Sequence, residues 1–352
     1  MTTHLASHPH HASRDVPRFG RGGLALVLVA GLVAACAAPG TGAPSPSSPG
    51  TTDGAAVTLQ RDFVDVVNTV APSVVVIETP QGLGSGIVYD TKGDIVTNAH
   101  VTDGSRTFRV TLADGRRFEG KLVGSFAGDD LAVIHIDASN LAPATFADSS
   151  KLVVGDIVLA VGNPLGLQSS VTEGIISALG RTVPESSSVT LPNAIQTSAA
   201  INPGNSGGAL VDLDGHVVGI PTLAAGDPQL GGAAVGIGFA IPSNIVTDIA
   251  DQLIKNGKVI DSHRAWLGTT VADIMGGAGV LVHSLQADGP AAKAGIRAGE
   301  LITSVNGQQT PSSVALADVL ANLTPGEAVP VAIVRPDGTT STIDVTLGQL
   351  PG

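Results

Sequence analysis

The sequence predicts a mainly β chain: two small six-stranded barrels side by side, then a separate unit of strands with one helix. Three observations carry that expectation. Gly occupies 45 positions and Pro 22, so turns are frequent, as all-β chains require. Twelve short strand-like runs fall into two groups of six, which suits two closed barrels. Hydrophobic residues make up 43% of the chain but aromatics only 3%, so the core must be assembled from Val, Ile, Leu and Ala. With 352 residues there is room for two or three domains.

The N-terminus stands apart. Arg14, Arg18 and Arg21 precede an apolar run from Leu24 to Ala35, closed by the single cysteine, Cys36. A membrane span needs ~20 apolar residues; this run is shorter and fits the h-region of a secretory signal. Val33-Ala34-Ala35-Cys36 resembles a bacterial lipoprotein signal, in which the cysteine thiol receives a diacylglycerol and becomes residue one of the mature chain. Residues 1–35 are therefore expected to be a lipoprotein-type signal peptide, and Cys36 the lipid attachment site. The competing reading is a buried cysteine at the end of an uncleaved anchor helix. Both readings put the remainder of the chain outside the cytoplasm, anchored in the cell envelope. With one cysteine the mature chain has no internal disulfide, so its stability rests on packing. His4, His8, His10 and His11 precede the cleavage point in a flexible tract, which is weak grounds for a metal site. No metal and no cofactor is expected. Residues 36–56 are Pro/Gly/Ser/Thr-rich, cannot bury a core, and read as a flexible tether.

The formal net charge is −12. Residues 1–35 hold three arginines against Asp15, so the acidic balance belongs to the rest of the chain. Nucleic acid is excluded as a partner, because phosphate binding needs a basic face.

The folded part opens with a short amphipathic helix: Leu59, Phe63, Val66, Val67 and Val70 recur at helical spacing and Pro72 comes next. The first six strands are expected over 73–78, 84–89, 94–98, 107–112, 117–125 and 131–136. Asp114-Gly115 marks a hairpin between the fourth and fifth. The next six are expected over 157–162, 170–177, 194–197, 209–211, 216–222 and 236–241, with Asp214-Gly215 as another hairpin. Ser243 is expected to cap a helix to about Lys255, with Ile245, Val246, Ile249 and Leu253 on one face and Gly257 as the stop. The first module thus spans 57–258. After a polar link, 265–350 forms the second, with a helix over 314–323.

Serine hydrolysis needs a nucleophile, a base, an orienting carboxylate and an oxyanion hole. The segment 202–208, Asn-Pro-Gly-Asn-Ser-Gly-Gly, offers the first and last. Ser206 sits among small residues that allow a sharp turn, so the N–H groups of Gly204 and Ser206, flanking Asn205, can converge on one oxygen. On its own a serine in such a turn is weak evidence. Five histidines lie beyond the tether. His135 and His283 alternate within apolar strands, His216 comes after a hairpin turn and His263 lies in the link. His100 ends a strand, in Thr97-Asn98-Ala99-His100-Val101, where a loop-borne base belongs. Asp129 and Asp130 precede the strand 131–136; Asp130 adjoins it and is the better orienter, with Asp129 the alternative.

At this point a resemblance is plain. Gly84-Ser85-Gly86, Thr97–Val101, Asp130-Leu131-Ala132-Val133, Val161-Gly162-Asn163-Pro164, Gly204–Gly208 and Gly238–Asn244 look like the ordered motifs of the HtrA/Deg proteases, over about residues 60–258. The resemblance implies a chymotrypsin-like double β-barrel, ATP-independent proteolysis of unfolded or mislocalised proteins, and assembly as homotrimers. Carried over, His100 is the base, Asp130 the orienter and Ser206 the nucleophile. Three departures stand out: Ser198 where the family commonly has Asp, Ala209 where it has Pro, and Pro221 where it has Asn. Gly204-x-Ser206-x-Gly208 also fits the nucleophile elbow of α/β-hydrolases, but that fold places Asp and His after the serine. Here both precede it.

In chymotrypsin-fold enzymes the residue six before the nucleophile floors the primary pocket. Here it is Ala200, with Ile201 beside it and Ile237 on a nearby strand, so small and branched apolar side chains are the expected substrates. Gly289–Ile296, Gly299–Ile302 and Val305-Asn306-Gly307 resemble bacterial PDZ domains, with Glu300 where Asp is usual. Such domains take a peptide C-terminus as an added strand, its carboxylate held by a nest of N–H groups. Trp266-Leu267-Gly268-Thr269 occupies the matching position, although a lone aromatic near a linker also serves simply to pack. The competing function is a chaperone or scaffold of protease fold with little activity.

Overall fold

The computed structural model describes residues 54–80, 82–102, 104–163, 170–184, 190–202, 204–227 and 232–352. The signal segment, Cys36 and nearly all of the expected tether lie outside them. The opening helix α1 (Ala55–Val70) begins two residues before the expected module boundary, and buries Val66 and Val70. Among the described residues, no helix is long and apolar enough to cross a membrane.

The first six strands are β1 (Val74–Glu78), β2 (Leu83–Val88), β3 (Asp94–Thr97), β4 (Thr107–Thr111), β5 (Arg117–Phe126) and β6 (Leu131–Ile136), with the one-turn helix α2 (Ala99–Thr102) after β3. They close into an antiparallel barrel in the order β1-β2-β3-β6-β5-β4. At the β4–β5 hairpin Gly115 takes φ 85°, the left-handed conformation that the Asp-Gly pair anticipates. The second six are β7 (Ile157–Gly162), β8 (Ser170–Pro184), β9 (Thr190–Thr197), β10 (Ala209–Val211), β11 (Val217–Asp227) and β12 (Gly232–Pro242). They close in the order β10-β11-β12-β9-β8-β7.

Each barrel has its own aliphatic interior. Val75, Ile77, Ile95, Val110 and Ile134 fill the first; Val158, Ala160, Ile176, Ile195 and Leu210 fill the second. A third cluster lies between them. It joins Val74, Val96 and Val133 of the first barrel to Leu159, Val161 and Val211 of the second, with Val66 and Val70 from α1. Strands at that seam are buried on both faces. Hence β1 reads as an unbroken apolar run, Val74 to Ile77, rather than as an alternation. The largest fully buried side chains are all Ile and Leu, as an aromatic-poor composition demands.

Helix α3 (Ser243–Asn256) packs Val246, Ile249 and Leu253 into this seam and stops at Gly257, φ 71°. Ser243 does not cap it. Pro242 holds the cap position with no side-chain cap, and Ser243 is the first residue inside the helix, its hydroxyl donating to the Ala147 carbonyl at 2.7 Å. Strands β8, β9, β11 and β12 also run several residues past their expected ends. Their added stretches are rich in Ala and Gly, with Pro, Asn and Asp, residues of low strand propensity, so it is pairing within each hairpin, not local propensity, that extends them.

The C-terminal unit comprises β13 (Ala265–Trp266), β14 (Thr269–Asp273), β15 (Val280–Leu285), α4 (Pro290–Lys293), β16 (Leu301–Val305), β17 (Gln308–Gln309), α5 (Ser313–Ala321), β18 (Ala328–Val334), β19 (Thr340–Thr346) and β20 (Gly348–Gln349). Its main sheet runs β14-β15-β16-β18-β19, and β13 pairs with β20. Ser312 caps α5 through the Ala315 N–H, two residues before the expected helix start. The barrels and this unit belong to one body, Asp53–Gly352. Thr182 of β8 donates a hydrogen bond to Asp318 of α5 at 2.7 Å.

Candidate active site

Asp130 comes directly after a 3-10 turn, Ala127–Asp129, and adopts φ 49°, ψ 44°. That left-handed conformation is unusual for a residue with a Cβ and persists only where the surroundings hold it. Here the Asp130 carbonyl accepts hydrogen bonds from the Ala99 N–H (3.0 Å) and Asn98 Nδ2 (3.1 Å), tying the turn to the start of α2. The carboxylate faces α2. Oδ1 accepts from the His100 N–H at 2.9 Å, and Oδ2 lies 2.8 Å from His100 Nδ1. A carboxylate has no proton to give, so Nδ1 carries the hydrogen and Nε2 presents a lone pair. Asp130 is 2% exposed, while the His100 side chain is 45% exposed. A buried anion therefore orients an accessible base.

Thr222 connects this pair to the serine. Its hydroxyl donates to Asp130 Oδ2 at 2.5 Å, and its carbonyl accepts from the Ser206 hydroxyl at 3.2 Å. Around Ser206 the backbone is committed selectively. The N–H groups of Asn205, Gly207 and Gly208 donate to the carbonyls of Asn202, Pro221 and Asn205. Among the described residues, those of Gly204 and Ser206 have no protein acceptor. Two such N–H groups beside a serine hydroxyl can receive an oxyanion. Gly207, at φ 79°, cannot be anything larger: a Cβ there would collide with the Ser85 carbonyl and the Thr97 hydroxyl.

Ser85 holds the serine turn against the first barrel. Its hydroxyl donates to the Gly204 carbonyl (2.5 Å) and accepts from the Asn163 N–H (2.9 Å), and its N–H donates to the Ser206 carbonyl (3.0 Å). Sequence reasoning picks out Ser85 only as part of a motif, and passes over Thr222. The one signal for either is a small polar residue inside an otherwise apolar strand.

The remaining candidates have other surroundings. The Asp129 carboxylate does not face His100. It pairs with Arg264 at 3.0 Å; burial pushes its pKa up, and the guanidinium pulls it back. His135 sits beside Asp94 (2.9 Å), His263 beside Asp261 (3.2 Å), and His283 is exposed on β15. Asp212, Asp214 and His216 could approach one cation, but the Asp212 carboxylate already accepts the N–H groups of the other two and so closes the turn. Ala200 is exposed on the loop before the serine, Ile237 is exposed on β12, and Ile201 is buried in the second barrel's core. Of the departures, Ser198 accepts the Ile175 N–H at 3.0 Å through its hydroxyl, a role open to Asp as well. Ala209 is fully buried, and Pro221 sits on β11 opposite Ala240.

In the C-terminal unit, β14 is an edge strand, with one side open for pairing. Trp266 is half-buried and lies against Gly268 and Gly348; Leu267 is in the core. The carbonyls of Leu267 and Gly268 accept from Ala291 (2.8 Å) and Gln286 (2.9 Å), turning the peptide units so that their N–H groups face away. Among the described residues, the Leu267 and Gly268 N–H groups have no protein acceptor.

Two domain families match the sequence: a trypsin-like peptidase domain over residues 84–220 and a PDZ domain over residues 254–347. The chain is 42% identical to a probable periplasmic serine endoprotease DegP-like of Halomonas elongata, over 78% of this chain and 58% of that protein. It is 41% identical to the periplasmic serine endoprotease DegP of Salmonella typhimurium, over 76% of this chain and 57% of that protein. The chain thus spans under three fifths of the length of these curated relatives. Solved structures are matched over nearly their whole length. One is an HtrA-type protease AlgW with a decapeptide (TM-score 0.60, 33% identity, 82% of this chain and 99% of that one). Another is the serine endoprotease from Yersinia pestis (TM-score 0.59, 38% identity, 82% and 98%).

Proposed function

The chain belongs to the HtrA-type family of trypsin-like serine proteases, and on that premise we propose that it is an ATP-independent serine endopeptidase of the cell envelope, degrading unfolded or mislocalised proteins. Residues 57–258 form the protease module and 265–350 the PDZ module. The observation that carries the reading is the hydrogen-bonded path His100–Asp130–Thr222–Ser206, beside two N–H groups with no protein acceptor among the described residues.

In this reading the Ser206 hydroxyl swings from the Thr222 carbonyl towards His100. Nε2 takes its proton as Oγ bonds to the scissile carbonyl carbon, and Asp130 stabilises the imidazolium. The new oxyanion accepts the N–H groups of Gly204 and Ser206, on either side of Asn205. The imidazolium then protonates the leaving amine, the C–N bond breaks, and water repeats the sequence on the acyl-enzyme. Ala200, with Ile201 and Ile237 near it, bounds an apolar primary pocket. The Leu267 and Gly268 N–H groups, between Trp266 and Thr269, hold a peptide's terminal carboxylate while its backbone pairs with β14. The Ser206–Thr222 bond also suits a resting enzyme, which keeps the scaffold reading in play.

Purified protein should degrade reduced casein without ATP and leave folded globular proteins intact. An apolar peptide with a free C-terminus should change that rate, and its amidated twin should not. Undegraded casein would favour the scaffold; equal rates with both peptides would remove the regulatory role. Cys36 carries the lipid, and the chain assembles as a homotrimer, which the exposed Val57, Leu59 and Val64 of α1 support as apolar surface needing cover. Cell fractionation followed by light scattering tests both. Wild type should be a membrane-bound trimer and Cys36→Ser a released or unprocessed one. Unchanged membrane association in the variant would refute the lipid, and a monomer mass the trimer.

A further inference from the structure

We propose that Arg264, in the link between the two modules, is a positioning residue for the Asp130 carboxylate, acting through Asp129 and the Gly128 carbonyl. The inference rests on the protease reading above and names a residue outside its reacting groups.

Asp129 and Asp130 are adjacent carboxylates, 3% and 2% exposed. Two buried anions in sequence are tolerated only where each is hydrogen-bonded or paired. Asp130 accepts hydrogen bonds from the His100 N–H, His100 Nδ1 and the Thr222 hydroxyl. Asp129 has Arg264, whose guanidinium donates both to its Oδ1 at 3.0 Å and to the carbonyl of Gly128. The charged groups bearing on Asp129 are Arg264, which favours its ionised form, and Asp248, which opposes it. One guanidinium therefore grips two consecutive residues of the turn that ends in left-handed Asp130. From the other side, α2 holds the same turn through the Asp130 carbonyl.

Arg264 is in turn fixed from the C-terminal unit. Its carbonyl accepts the Leu350 N–H at 2.9 Å, the Ser262 hydroxyl donates to the Leu350 carbonyl at 2.8 Å, and the next two residues pair with Gly348 and Gln349. Leu350 itself packs on the core between the barrels and lies against Gly128. The last strand of the chain thus presents a cation to the turn that carries the orienting carboxylate. Loss of that cation leaves Asp129 buried and uncompensated. The turn then relieves it by opening, and Asp130 loses its alignment with His100.

The test uses the full chain, a chromogenic peptide substrate, and the His100 imidazole pKa measured by NMR. Arg264→Gln should lower kcat at least about tenfold with KM within about twofold, the signature of lost transition-state stabilisation, not of lost binding. It should also lower the His100 pKa, because the carboxylate that favours imidazolium has moved. Adding Asp129→Asn removes the orphaned charge, and the double variant should recover kcat to within about threefold of wild type. Wild-type kcat and His100 titration in Arg264→Gln, or no recovery in the double variant, would overturn the proposal. Should Arg264→Gln not fold, the double variant decides: folded and active supports it, unfolded overturns it. If wild type shows no peptidase activity yet the His100 titration still shifts in Arg264→Gln, the protease reading has failed and the positioning role stands.

Discussion

Replacing Ser206 with alanine is expected to lower kcat for peptide hydrolysis by about a million-fold, the scale seen when a nucleophile is removed from an intact serine-protease site. The fold should survive. Among the described residues the Ser206 hydroxyl makes one hydrogen bond, to the Thr222 carbonyl at 3.2 Å, while the turn is held by backbone groups and by Ser85. The Ser85 N–H still finds the carbonyl of residue 206, and Gly207 still donates to Pro221. The melting temperature should therefore move by no more than about 2 °C. Calorimetry beside a peptide assay checks both halves. Retained hydrolysis would dismiss Ser206 as nucleophile, and a large fall in melting temperature would dismiss the account of what holds the turn.

Asp130→Asn comes next, with an expected loss of about 10⁴ in kcat. The amide nitrogen of asparagine would donate where Oδ2 now accepts from His100 Nδ1. The imidazole would answer by moving its proton to Nε2, leaving no lone pair for the serine proton. The Thr222 hydroxyl, which donates at 2.5 Å to the same oxygen, would lose an ionised acceptor as well. Asp129→Asn is the control. Its carboxylate points to Arg264, so kcat should stay within about threefold of wild type. A large loss in Asp129→Asn with near-normal Asp130→Asn would reverse the two assignments.

The difference between those neighbours shows where sequence stops being legible. Strand runs such as Val74–Ile77 and Leu131–Ile134 announce themselves, because burial on both faces leaves no polar alternation to misread. The same is true of the Asp-Gly hairpins, whose left-handed glycines are local requirements. His100 and Ser206 stand in segments with a recognisable order. The choice between Asp129 and Asp130 rests on adjacency to a strand, yet what separates them in space is Arg264, 135 residues away. Thr222 lies 92 positions from the carboxylate it touches, and Ser85 lies 119 from the Gly204 carbonyl. Single polar side chains acting across the seam between two barrels leave no periodicity behind. Ser243 fails in the opposite sense: local capping rules favour it, yet the helix starts one residue earlier than they require, with Pro242 at the cap position and the Ser243 hydroxyl bonded to the Ala147 carbonyl. The lengthened hairpins of the second barrel belong to the same class, since pairing, not propensity, sets their ends.

The central claim is that Ser206 is a serine activated by His100. Its most direct test is to label the purified protein with a fluorophosphonate and locate the adduct by mass spectrometry. The reagent phosphonylates a serine only when a base takes the proton and N–H donors receive the developing oxyanion. The account predicts one adduct, on Ser206, lost in His100→Ala. No adduct on wild type, an adduct on another residue, or equal labelling without His100 would contradict it.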